Sequence, residues 1–252
     1  MPAPTRPDLV LLHGWGMSAA VWAPLLPALA PHWRVHALDL PGHGHSAPAA
    51  AADLDEWAGR CLAAAPDQAL WLGWSLGGQV ALRAAAMAPA RVDALCLVAA
   101  TPRFVQSDGW PGAMPPAVFA QFADALALQP QETLQRFLAL QVKGAGQGRE
   151  TLRTLRGALA AAPQPTTTGL RQGLELLLAN DLRAGLGALS QPSLWVFGGR
   201  DTLVPRAAAA AVAGLLPAAR VELVDGAGHA PFLSHPAECL APLRELGRTE
   251  AA

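Results

Sequence analysis

The sequence predicts an α/β fold, a mostly parallel sheet with helices on both faces. Three observations carry this reading. Short apolar runs recur without polar alternation, at Leu9–Leu12, Val35–Leu38, Ala69–Leu72 and Ala94–Ala99. Longer stretches with helical periodicity, notably Asp53–Ala65 and Leu76–Ala88, separate several of them. Each run ends at a turn signal: His13-Gly14, Asp39, Gly73 and Thr101-Pro102. Strands with no polar face belong in the interior of a sheet covered on both sides, and strands alternating with helices build a parallel one. A chain of 252 residues with 52% hydrophobic and only 15% charged residues can bury a large core. Disorder is thereby excluded as its main state.

The alternation stops at Thr101-Pro102 and resumes at Ser193–Phe197, with a last strand at Val221–Val224. The stretch between is punctuated by Pro111, Pro115, Pro116, Pro130, Pro163 and Pro165. It carries helical patterns over Ala117–Leu128, Gln131–Gln141, Arg149–Ala161 and Gly169–Leu178. Residues 102–181 are therefore expected to form a helical lid inserted into a core built from residues 1–101 and 182–252. Such an insertion lies over the carboxyl ends of the strands, where open α/β sheets bind ligands.

Composition narrows the function classes. The formal net charge is −1 with a pI near 6.6, so no global basic field exists to collect nucleic acid. The cations are 17 arginines and one lysine, Lys143. No apolar stretch approaches the ~18–20 residues of a membrane span. Met1–Asp8 carries three prolines and no apolar core, so it does not read as a secretory signal. Cys61, Cys96 and Cys239 are widely spaced and odd in number, which suits buried thiols in a reducing cytoplasm better than disulfides or a zinc site. A cytoplasmic enzyme or binding protein is expected.

The strongest chemical signal is Gly73-Trp74-Ser75-Leu76-Gly77. Alone, the pentapeptide could be a glycine-rich turn with an incidental serine. Here it closes an apolar run and opens a helical one, the context of a G-x-S-x-G nucleophile elbow. In that bend the flanking positions have no room for side chains, and the serine hydroxyl is pushed outward. A serine at its ordinary pKa is a weak nucleophile and needs a base and an orienting acid, which follow this motif in the order acid, then histidine. Only His229 and His235 lie downstream. His229 ends a flexible loop after the last strand and is the candidate base, whereas His235 precedes Pro236 and suits a helix start. Asp201, in the loop after Ser193–Phe197, is the candidate acid. Asp225 is only four residues from His229 and would have to fold back on its own loop.

His13-Gly14-Trp15-Gly16 follows the first strand, where small residues let the backbone approach a reacting carbonyl. The amides of Trp15 and Leu76 are the expected oxyanion hole. His13, His43 and His45 come without an Asp, Glu or Cys cluster, so a tight loop is expected there rather than a metal site. No metal or organic cofactor is expected.

These residues resemble the α/β-hydrolase superfamily and, more closely, the pimeloyl-acyl-carrier-protein methyl ester esterase family of biotin synthesis. The matching stretches are Leu9–Gly16, Trp71–Gly78, Arg136–Gln141, Gly173–Leu177, Leu203–Arg206, His229–Phe232 and Ser234–Glu238. The resemblance implies Ser75 as nucleophile with Asp201 and His229 as partners. It also implies a substrate pocket formed by Trp15, Ser75, Leu76, His229 and the run Phe137, Leu138, Ala139, Leu140 and Gln141. Lid arginines that hold an acidic acyl carrier protein fall on Arg136, Arg149 and Arg153. A fourth family position falls on Glu132, where the charge is reversed, with Arg156 as the expected substitute. The family's opening strands are barely represented, so six or seven strands are expected rather than eight.

Charge placement supports a carrier partner independently. Residues 136–171 hold six basic and one acidic residue, a net of +5, while the rest of the chain carries −6. Arg149, Arg153 and Arg156 recur at i, i+4 and i+7 and share one helix face. The expected activity is hydrolysis of a pimeloyl-carrier methyl ester by a monomeric serine carboxylesterase that binds neither nucleic acid nor membrane. The alternatives are a generic esterase for short acyl esters and a non-catalytic receptor on the same scaffold.

Overall fold

The computed structural model describes residues 6–249, so most of the Met1–Asp8 reading lies outside the described residues. Six strands form one sheet: β1 (Asp8–Leu12), β2 (Arg34–Leu38), β3 (Ala69–Trp74), β4 (Val92–Val98), β5 (Ser193–Gly198) and β6 (Arg220–Val224). The helices in chain order are α1 (Leu26–Leu29), α2 (Leu54–Ala64), α3 (Leu76–Met87), α4 (Pro116–Leu128), α5 (Pro130–Gln141), α6 (Gly148–Ala160), α7 (Thr167–Ala179), α8 (Ala207–Leu215), α9 (Pro231–Ser234) and α10 (Pro236–Thr249). Short 3₁₀ turns join some of them. None of the described helices is long and apolar enough to cross a membrane.

All pairings are parallel, and the strand order is β2-β1-β3-β4-β5-β6. The chain runs outward from β1 to β2, then crosses to β3 on the other side of β1. That reversal makes a crevice between the carboxyl ends of β1 and β3, the place where open sheets hold ligands. Register aligns those ends: Leu12 pairs with Gly73, Gly73 with Leu97, and Gly198 with Val224. The loops carrying His13, Ser75, Asp201 and His229 therefore all leave the sheet along one rim.

β3 and β5 are buried at every position, as their unbroken apolar character requires. The two edge strands, β2 and β6, are only partly covered. α4 to α7 lie between β4 and β5 in the chain. α4 and α5 each begin one residue earlier than periodicity suggests, at Pro116 and Pro130, because proline suits the first helical turn, where its missing N–H has no partner to lose. α7 is capped by Thr166, whose hydroxyl accepts from the Gly169 N–H at 2.9 Å.

α7 is seated closely on the core. A Cβ on Gly169 would stand 2.6 Å from the Gly42 carbonyl oxygen, and the Thr166 N–H donates to that oxygen at 2.8 Å. The Gln172 amide donates to the Ala49 carbonyl at 3.0 Å, and the Trp15 indole donates to the Leu170 carbonyl at 2.8 Å. Cys61, Cys96 and Cys239 are buried free thiols. Burial pushes the Cys61 and Cys239 thiols up to about 12, which makes them unreactive packing residues.

Candidate active site

The turn from β3 into α3 is sterically forced. A Cβ on Gly73 would lie 2.4 Å from the Gly77 carbonyl oxygen, and one on Gly77 would lie 2.5 Å from the oxygens of Leu12 and His13. Neither backbone can yield, so both positions require glycine. Ser75 between them has φ +55° and ψ −117°. The Ser75 N–H donates to Val98 at 3.0 Å and its carbonyl accepts from Gly78 at 2.9 Å, which holds the bend.

The side chains separated in sequence meet here. His229 Nε2 lies 2.9 Å from Ser75 Oγ, and His229 Nδ1 lies 2.7 Å from Asp201 Oδ2. The other carboxylate oxygen of Asp201 accepts from the N–H groups of Leu203 and Val204 at 2.8 and 3.0 Å. Those two bonds fix the carboxylate so that Oδ2 faces the imidazole. All three residues are buried, Ser75 and Asp201 at 6% exposure and His229 at 1%. Asp225 is exposed, and His235 is half-buried with its Nδ1 2.8 Å from Ser234 Oγ, so neither joins the group.

The loop after β1 runs beside the nucleophile: a Cβ on Gly14 would lie 3.3 Å from the Ser75 Cβ. Trp15 follows directly. Leu76 is the first residue of α3, so its N–H is among those that a helix leaves without an internal acceptor. Two buried histidines hold this loop. His13 Nε2 accepts from the Leu40 N–H at 2.9 Å, and His43 Nε2 accepts from the Gly16 N–H at 3.2 Å. Each Nδ1 faces a carbonyl, that of Gly14 at 2.8 Å and that of Pro41 at 2.9 Å. Both rings are therefore neutral, with the proton on Nδ1. Burial lowers His13 to about 4, against the opposing pull of the Gly14 carbonyl and Asp39. Burial, with His13 alongside, lowers His43 to about 3. Among the described residues no cluster of His, Cys, Asp or Glu is arranged to hold a metal ion.

An apolar cavity of about 50 Å³ lies between α4, α5 and α7, lined among others by Phe104, Phe119, Phe122, Leu174 and Leu203. Of the run Phe137–Gln141, only Phe137 and Leu140 reach this wall. Phe137 and Leu140 are i and i+3 on one face of α5. Leu138 is fully buried on the neighbouring face and Ala139 is exposed on the outer one. Gln141 is buried, and its main-chain carbonyl accepts from the His229 N–H at 2.8 Å. Trp15 stands behind the cavity, edge-on to Phe137 at 4.9 Å and to Phe122 at 5.5 Å. The cavity residues on α4 and α7 gave no sequence signal beyond ordinary amphipathic spacing.

Arg136, Arg149, Arg153 and Arg156 are all exposed on α5 and α6. Arg136 pairs with Glu132 at 3.1 Å and Arg153 with Glu150 at 3.7 Å. Such exposed pairs are worth at most about 1 kcal/mol, so they leave the guanidinium groups available to a stronger anion.

A family model described as alpha/beta hydrolase fold matches residues 7–236. A pimeloyl-acyl-carrier-protein methyl ester esterase of Stenotrophomonas maltophilia is 48% identical over 240 residues, covering 95% of this chain and 92% of the relative. One from Xanthomonas campestris pv. campestris is 48% identical over 229 residues, covering 91% and 90%. Among solved structures, an esterase from Exiguobacterium antarcticum matches with a TM-score of 0.85 at 22% identity, covering 97% of this chain and 92% of that one, a likeness of fold. The chain belongs to the α/β-hydrolase family and, within it, to the family of the pimeloyl-acyl-carrier-protein methyl ester esterases.

Proposed function

We propose that this protein is a serine esterase that hydrolyses the methyl ester of a pimeloyl chain carried on acyl carrier protein. The observation that carries the reading is the unbroken relay from Ser75 Oγ through His229 to Asp201, with hydrogen-bond lengths of 2.9 and 2.7 Å. Ser75 Oγ attacks the ester carbonyl while His229 Nε2 takes its proton. Asp201 keeps the second imidazole proton on Nδ1 and stabilises the imidazolium that forms. The Trp15 and Leu76 amides receive the oxyanion, aided by the α3 N-terminus, where the helix dipole favours negative charge. Collapse of the tetrahedral intermediate expels methanol, protonated by His229, and leaves an acyl-Ser75 ester. Water then attacks that ester with His229 as base and releases the free carboxylate.

Residues 102–181 act as the lid in this reading. The apolar walls at Phe137 and Leu140 suit the methylenes of the acyl chain, and Trp15 closes the cavity from behind. Arg136, Arg149, Arg153 and Arg156 receive the acidic carrier in the cytoplasm, and its docking is steered by charge.

Charge reversal separates a carrier-directed esterase from a generic one. The variant Arg149→Glu/Arg153→Glu/Arg156→Glu is expected to lose at least about tenfold in kcat/KM on the carrier-linked ester. Its rate on a short p-nitrophenyl ester should be unchanged. Added salt should lower the wild-type carrier rate in the same way, because screening shortens the reach of the patch. Equal rates on the carrier ester before and after reversal favour the generic esterase.

A further inference from the structure

The x position of the elbow carries a side chain that the reaction itself does not use. Trp74 ends β3 immediately before Ser75 and is 1% exposed. Its indole N–H donates to the main-chain carbonyl of His229 at 2.7 Å. Its ring lies 5.8 Å from the imidazole and makes an edge contact with Phe232 at 5.0 Å. The same ring supports the oxyanion loop, since a Cβ on Gly14 would stand 3.2 Å from it. One side chain thus touches the loop before the elbow and the loop that delivers the base.

Burial alone does not demand that hydrogen bond. The buried indole N–H groups of Trp22, Trp57 and Trp71 make none among the described residues. The His229 loop does need an anchor. It contains Gly226, at φ +79°, and Gly228, whose backbone freedom would let the imidazole swing away from Ser75. Upstream, the Gly226 and Ala227 carbonyls accept from Gly146 and Arg200, and at His229 itself the N–H is held by Gln141 of α5 at 2.8 Å and the carbonyl by Trp74.

We propose that Trp74 is a positioning residue for the base, whose indole N–H holds the His229 peptide so that Nε2 stays within reach of Ser75 Oγ. This rests on the triad reading above. Losing the anchor leaves every reacting group present but lets the imidazole wander, and a displacement of about 1 Å at such a site can cost about a hundredfold in rate.

The test removes the N–H without removing the ring, by site-specific incorporation of 3-benzothienylalanine at position 74, with Trp74→Phe as a second variant and His229→Ala as a reference. Steady-state hydrolysis of a p-nitrophenyl ester, labelling by a fluorophosphonate and the thermal midpoint are measured together. The isostere is expected to lose at least about tenfold in kcat with KM within about twofold, to label correspondingly slowly, and to melt close to the wild type. Trp74→Phe should show the same split between kcat and KM. An isostere with wild-type kcat, beside a His229→Ala variant that has lost its labelling, overturns the role of Trp74 and leaves the triad standing. His229→Ala labelling at the wild-type rate overturns both.

Discussion

Ser75 holds a backbone conformation that costs a non-glycine residue about 1–3 kcal/mol, and it persists because its surroundings leave no alternative. The loop after β1, which runs beside Ser75, is held by His13 and His43, which accept N–H bonds from Leu40 and Gly16 through unprotonated Nε2 atoms. A proton on either nitrogen would set donor against donor, which is why burial and these bonds keep both rings neutral. Their folded values, about 4 and about 3, lie below the ordinary 6.5. Between those limits the unfolded chain takes up protons that the folded one refuses, so stability is full above pH 6.5 and falls as the pH drops through the window. Each ring contributes roughly 1 kcal/mol per pH unit there. Urea unfolding is expected to show a steep loss of stability from pH 7 to 5, and His43→Gln should make that dependence shallower. An unchanged slope would mean that these rings are not the groups being titrated. That Ser75, Asp201 and His229 come together was legible in the sequence, because chain order and strand ends point to all three. The hydrogen bonds of His13, His43 and Trp74 were not, because their partners are main-chain groups supplied by distant loops.

The four helices between β4 and β5 are tied to the rest of the fold at two places. The turn between α5 and α6 meets the loops that carry Asp201 and His229: Gly146 N–H donates to the Gly226 carbonyl at 3.1 Å, and Arg200, beside Asp201, donates to the Gly144 carbonyl at 3.0 Å. At the second place, Gly169 of α7 lies against Gly42 so closely that no side chain fits. Gly169→Ala must push α7 away from a rigid backbone and is expected to cost about 1–3 kcal/mol in chemical denaturation. Loss of less than about 0.5 kcal/mol would show that this contact yields easily. Periodicity located all four helices of the insertion within two residues, since capping and proline placement follow local rules. The face that each helix turns to the cavity was harder to read. Phe137 and Leu140 share the wall of the cavity, and the Trp15–Phe122–Phe137 cluster draws on three separate segments.

Across the molecule, six parallel strands bring one rim of loops together while the charge separates, +5 over residues 136–171 and −6 elsewhere. The parallel sheet was legible because unalternating apolar strands have few other places to go. β2 is an edge strand with partial cover. Ser75 sits on one loop and His229 on another, 154 residues apart, so the proposed chemistry is a property of the assembled rim. Mass-spectrometric measurement of methanol release from pimeloyl-carrier methyl ester, by wild type and by Ser75→Ala, tests this most directly. The wild type is expected to convert the ester to the free acid, and Ser75→Ala to be slower by at least about a thousandfold, the scale of losing a triad nucleophile. A Ser75→Ala enzyme that still releases methanol within about tenfold of the wild-type rate would contradict the account.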